Sequence, residues 1–259
     1  MTRDYDQILD SFDRRCRMKK MVNLLLCAVI IILGISSVLF IWNHDQEGIL
    51  TFRWMTVDGT IYTTVMTMFI LAVNVVELEE QTELTERHVY FARLSSAVAE
   101  CLILVVALLS QLPFFSEHMH LTRYDMFCMH VMIPLLTVIS FAINDPPVGP
   151  LKLREIFIGT DFVTVYAAVI IPLIAANVIT DEYIPYFFLD VRNMKMPYVA
   201  GCFAVIYGIA FLISYCLYRL NRKLYWGWFR HLWGDSQRNR NDHDSHSREN
   251  DLCQKPQNE

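Results

Sequence analysis

"RYDMFCMHVMIPLLTVISFAIND", residues 123–145, decides the fold class. Between Met126 and Ile143 it carries no Asp, Glu, Lys or Arg, and His130 alone breaks the apolar run with a basic ring. At about 1.5 Å of rise per residue, such a helix nearly crosses a hydrocarbon core of about 30 Å. Five more stretches of this kind lie at 21–42, 55–76, 94–115, 157–179 and 198–218. The chain of 259 residues is 54% hydrophobic and only 19% charged. Soluble domains average nearer 25% charged, with shorter apolar runs. Lipid offers the backbone no hydrogen-bond partner, so each run must close its own bonds as a helix. The expectation is an all-α protein, an integral membrane six-helix bundle.

Three segments follow: a basic leader at 1–20, a six-span domain at 21–225, and an interfacial segment with a polar tail at 226–259. The leader and first run lack a small-residue cleavage site, so the run reads as a span and not a removed signal. From Asp235 onward, Leu252 and Cys253 are nearly the only apolar residues, which predicts a disordered tail. The seven cysteines show no paired spacing, and no metal site, cofactor motif or nucleic-acid motif is present. His118 and His120 sit close together, but two histidines in one loop are a weak metal signal. Nothing in the sequence fixes an oligomeric state.

Lys and Arg gather on one side of the predicted membrane. Arg3, Arg14, Arg15, Arg17, Lys19 and Lys20 precede the first span, Lys152 and Arg154 follow the fourth, and Arg219, Arg222, Lys223 and Arg230 follow the sixth. The opposite loops hold Arg53, Arg123, Arg192 and Lys195. By the positive-inside rule both termini are cytoplasmic, in a cell membrane crossed six times.

Polar residues within the spans mark the faces turned inward. Thr56, Thr60, Thr63, Thr67 and Asn74 share one face of the second span; His130, Pro134, Thr137 and Asn144 share one face of the fourth. Ser96, Glu100, Ala107 and Gln111 line the third, and Gly201, Ala204 and Gly208 form a small-residue stripe on the sixth that predicts close helix contact. The threonines have an ordinary structural use, bonding the carbonyl four residues back. His130 has one too, as a neutral ring bonded to a neighbouring helix. Depth separates the readings. Thr56 lies roughly 5 Å and His130 roughly 10 Å inside the same face, on helices running the same way, so their side chains can meet. A hydroxyl beside an imidazole is the minimum for a nucleophile and its base. Arg53 and Arg123 stand one or two turns nearer the surface, placed either to hold an acidic head group or to snorkel. Glu100 lies near the midplane, leans the other way, and is either neutral or paired.

"FRWMT" at 52–56, "HVMIP" at 130–134 and "YIPYFFLDV" at 183–191 resemble, in order and placement, segments of the androgen-induced type of multi-pass membrane proteins, closest to their bacterial six-pass relatives. The resemblance spans roughly residues 21–225. Animal members are threonine hydrolases that cleave fatty acid esters of hydroxy fatty acids. The resemblance implies Thr56 as nucleophile and His130 as base, with the bilayer as surroundings and a lipid ester as substrate. The competing expectation is a non-enzymatic carrier of protons or small solutes using Glu100 and Asp161.

Overall fold

In the computed structural model the described residues are 2–45, 47–80, 87–108, 123–144, 147 and 149–253. Six helices among them are long and apolar enough to cross a membrane, the pattern of a multi-pass membrane protein, and no strand accompanies them. We label them α1 (Thr2–Asp45), α2 (Met55–Glu80), α3 (Arg87–Val106), α4 (Tyr124–Ile143), α5 (Leu153–Ala175) and α6 (Met196–Cys253). Gln111, His118 and His120 fall outside the described residues, as does the end of the predicted third span.

α3 is the centre of the bundle. It packs against α2, α4, α5 and α6, while α1 covers α2 and α4. Its apolar window is 61% buried against 17% for α6, which lies on the periphery. Tyr90, Leu94, Ala97, Val98 and Leu102 of α3 form the core with Phe141, Val163, Ala210 and Leu217. Leu25, Ile32, Val65, Val169 and Leu212 are exposed on the outside, an apolar belt suited to lipid. The inward polar stripes are buried as their spacing predicts: Thr60, Thr63, Thr67, Ser96, Glu100 and Thr137 are all fully enclosed.

One end of the bundle is tied by a buried polar network. Arg93 donates to Thr67 Oγ1 at 3.3 Å and to Ser140 Oγ at 2.6 Å, and Ser140 donates to Asn23 Oδ1 at 2.8 Å, joining α1 to α4. Tyr90 and Asn221 extend it to α6, since Asn221 Nδ2 donates to the Phe141 carbonyl at 2.9 Å.

Three expectations change. The small-residue stripe of α6 makes no close helix contact: a Cβ added at Gly201 or Gly208 meets nothing within 4 Å. Helices approach most closely elsewhere, with Gly34 of α1 against Thr64 and Gly159 of α5 against Ser214. The fifth span stops at Ala175, short of 179, because Asn177 adopts φ 59° and the Val178 and Asn177 N–H groups bond back to Leu173 and Ile174. That left-handed cap satisfies the last carbonyls, and Asn tolerates it. The backbone of α6 runs on as helix to Cys253, where composition predicts disorder. Extending a nucleated helix costs little per residue, and no proline intervenes before Pro256.

Candidate functional site

Thr56 sits in the first turn of α2. The chain leaves α1 at Asp45, turns at Gly48 with φ +59°, and forms a short 3₁₀ helix, Gly48–Arg53. Trp54 then starts α2, its carbonyl accepting the N–H groups of Val57 and Asp58 at 3.0 and 3.2 Å. Thr56 is thereby held at a helix N-terminus, where early N–H groups lack acceptors within the helix and favour negative charge.

His130 lies in a widened turn of α4. Cys128–Met132 is π-helical, with the Ile133 N–H bonded to the Cys128 carbonyl five residues back. Pro134 explains it. Its ring would collide with the His130 carbonyl in a regular α-helix, and it has no N–H to donate there. The wide turn re-aims the imidazole, as such bulges do at functional sites. His130 Nδ1 lies 2.9 Å from the Met126 carbonyl, and Nε2 lies 3.3 Å from Thr56 Oγ1. A carbonyl only accepts, so Nδ1 carries the proton. Nε2 is left with a lone pair, and the Thr56 hydroxyl donates to it. This is the tautomer a general base needs.

Both side chains line one cavity of about 1160 Å³. Leu102, Ile103, Val163, Ala167 and Ile206 supply apolar wall, and Trp54, Tyr166, Tyr186, Phe188 and Tyr198 supply aromatic faces. Its shape follows from how α5 meets α6. The two touch through Leu153–Thr160, where Gly159 lets Ser214 approach, and farther along the Tyr207 hydroxyl donates to Thr164 Oγ1 at 2.9 Å. The cavity wall reaches the flank of the bundle, because lining residue Val205 is 62% exposed.

Arg53 and Arg123 do not line this cavity. Arg53 is buried, with Nη2 donating to Glu47 Oε1 at 2.9 Å and its guanidinium 5.0 Å from the Trp54 ring. Arg123 grips Asp125 at 2.7 and 2.6 Å and Asp45 at 2.9 and 3.0 Å. Those bonds, the one to Asp125 foremost, raise its already high pKa further. Of the carboxylates the two arginines bind, Asp45 and Glu47 line the cavity, in place of the open guanidinium rim that spacing alone suggests. Glu100 is fully buried on α3 and makes no hydrogen bond of good geometry, although the Thr63 hydroxyl stands near it. Asp161 is exposed on the surface of α5, away from the polar interior. The Thr60 and Thr137 hydroxyls are enclosed without a partner.

Sequence reasoning missed Tyr186. It sits in the loop before α6, edge-on to Trp54 at 5.9 Å and stacked on Phe188 at 5.4 Å, with its hydroxyl turned toward Thr56 and the Met55 backbone. Burial pushes its pKa up to about 12, so it stays a proton donor at neutral pH. Its signal was present in "YIPYFFLDV", but an aromatic loop reads equally well as an interfacial anchor.

Comparison with models of known protein families, with curated proteins and with solved structures finds no match to this chain.

Proposed function

We propose that this protein is an intramembrane hydrolase of fatty acyl esters, with Thr56 as nucleophile and His130 as base. The carrying observation is the 3.3 Å contact from Thr56 Oγ1 to His130 Nε2, with the ring's far nitrogen fixed on the Met126 carbonyl, at the wall of an apolar cavity. Thr56 Oγ attacks the acyl carbonyl while its proton passes to Nε2. The tetrahedral intermediate collapses, the alkoxide leaves with that proton, and an acyl-threonine remains. Water then enters, loses a proton to His130, and releases the fatty acid as Thr56 regains its proton. The Tyr186 hydroxyl and the N–H groups opening α2 are the donors nearest the developing oxyanion. An ester dissolved in the bilayer reaches the cavity from the flank of the bundle beside Val205. The reading agrees with the resemblance to the androgen-induced type of membrane hydrolases. It places the mouth at the outer leaflet of the cell membrane, with both termini in the cytoplasm.

The test is labelling of the full-length protein by an alkyl fluorophosphonate. Thr56→Ala and His130→Ala should each remove nearly all labelling, and the double variant should lose little more, as residues acting as a unit do. Full labelling of folded Thr56→Ala would sink the reading. A carrier is the second reading, favoured by the buried Glu100 carboxyl without a well-formed hydrogen bond. Glu100 does not line the cavity, and Asp161 faces outward, so the two acids mark no common path.

A further inference from the structure

The charges around the cavity mouth bear on what the site takes. Every Asp or Glu in the lining belongs to this end of the bundle: Asp45, Glu47, Asp181 and Asp190, with no Lys or Arg among the lining residues. Three of these carboxylates are held from behind by guanidinium groups, Asp45 by Arg123, Glu47 by Arg53 and Asp181 by Arg192. Arg123 also serves the buried Asp125. Asp190 has no cation among its hydrogen-bond partners; it accepts from the Asn193 backbone and side-chain amides at 3.1 and 3.2 Å. Four carboxylates therefore share three guanidinium groups, Asp190 has none, and the surplus is negative. Glu182 and Lys195, both exposed on the same loop, offset each other. A second observation points the same way. Trp54, Tyr186, Phe188 and Tyr198 turn aromatic surface to the cavity, and ring faces attract cations and repel anions.

Resting on the hydrolase reading, we infer that the acyl ester bound here carries no anionic group at its polar end: its head is neutral or cationic. A hydroxy fatty acid ester with a free carboxylate would set its charge against Asp190, with the nearest guanidinium groups already engaged. An alkyl, glyceryl or choline head meets no such opposition. The cavity thus departs from the substrate class that the resemblance implies, in the charge of the head and not in the ester.

Binding separates this inference from the catalytic one. Full-length Thr56→Ala protein in nonionic detergent at pH 8 is titrated with the fluorescent fatty acid cis-parinaric acid, its methyl ester and its choline ester. Specific binding is taken as the part lost in Gly201→Phe, which sets a ring into the cavity. The two esters should bind on the order of tenfold more tightly than the acid. One like charge about 10 Å away, at an effective dielectric constant of about 20, produces that ratio. Asp190→Asn should shrink it toward unity. Equal or tighter binding of the free acid overturns the inference, and so does an absence of specific binding by all three probes. If wild-type protein shows no Thr56-dependent fluorophosphonate labelling, the hydrolase reading fails while the binding ratio still decides the head-group charge.

Discussion

Replacing Arg123 with alanine separates two roles for one residue. As an anchor for an acidic substrate, Arg123 would affect binding of acids alone. As a latch, it joins the end of α1 to the start of α4 through Asp45 and Asp125, just upstream of His130. The geometry supports the latch. Four charge-assisted contacts of 2.6–3.0 Å converge on one guanidinium, and the Asp125 side chain is 0% exposed. Removing one partner of a buried pair costs about 3–5 kcal/mol, because the other charge is stranded. The Arg123 and Asp45 side chains are 26% and 25% exposed, so water screens part of the loss. A cost of about 2–4 kcal/mol follows. For a chain of this size that lowers the apparent Tm by roughly 5–15 °C.

The assay is thermal unfolding in detergent, followed by thiol-reactive dye or tryptophan fluorescence, alongside hydrolysis of one acidic and one neutral ester. Arg123→Ala should melt earlier and lower kcat for both substrates by the same factor, since it displaces His130 whatever the substrate's head. The Asp45 carboxylate, left without its cation at the cavity wall, should add a rise in KM for the acidic ester. Asp125→Asn in that background should recover part of the Tm, because no buried charge is then left alone. Arg123→Lys should fall between, keeping the charge but losing the fork. A variant that melts with the wild type while KM rises for the acidic ester alone would refute the latch.

Three further outcomes are expected. Tyr186→Phe keeps the ring contacts with Trp54 and Phe188, so it should leave Tm unchanged while turnover falls about 100-fold, the lower range for one oxyanion donor; unchanged turnover would assign that role to the backbone. Gly34→Ala sets a Cβ 2.0 Å from Thr64 Oγ1, so it should cost about 1–3 kcal/mol in thermal unfolding, less the helix propensity gained. Thr64→Ala in the same chain should restore most of it. Glu100→Gln should retain both fold and labelling, because the amide keeps size and hydrogen-bonding capacity; a fall of about tenfold in labelling would put Glu100 in the reaction.

The bundle was legible because its signals are local. Six apolar runs and the threonine stripe of α2 follow from composition and a period of 3.6 residues, and all the stripe threonines are buried. Thr56 and His130 were legible through their place along the chain: each lies in the first turns of its helix, and those two helix starts meet. The arginines were not. Whether a guanidinium faces a cavity depends on which carboxylates other loops bring near it, and Asp45 lies 78 residues from Arg123 in sequence. Tyr186 was hidden for the same reason, its value arising from a loop folding over the N-terminus of α2. The stripe of α6 misled because small residues permit a close approach without compelling one. The approach went instead to Gly34 and Gly159, which belong to no stripe.

The orientation of His130 ties these levels together. A nucleophile–base pair usually relies on a third group to hold the base, most often a carboxylate. Here a backbone carbonyl does it, and the sequence reason is Pro134. Without its N–H, α4 cannot close a regular turn on the His130 carbonyl; the helix widens, and the ring's Nδ1 comes to lie on the Met126 carbonyl. A carbonyl fixes the tautomer as well as a carboxylate would. It adds no net charge to a site already bordered by Asp45 and Glu47. A full negative charge would stabilise the imidazolium more strongly during attack, so a neutral acceptor is consistent with the proposed chemistry on esters, whose alkoxides leave more readily than amines. The proline that interrupts α4 is thus the residue that leaves His130 Nε2 unprotonated beside Thr56 Oγ1, as the proposed base requires.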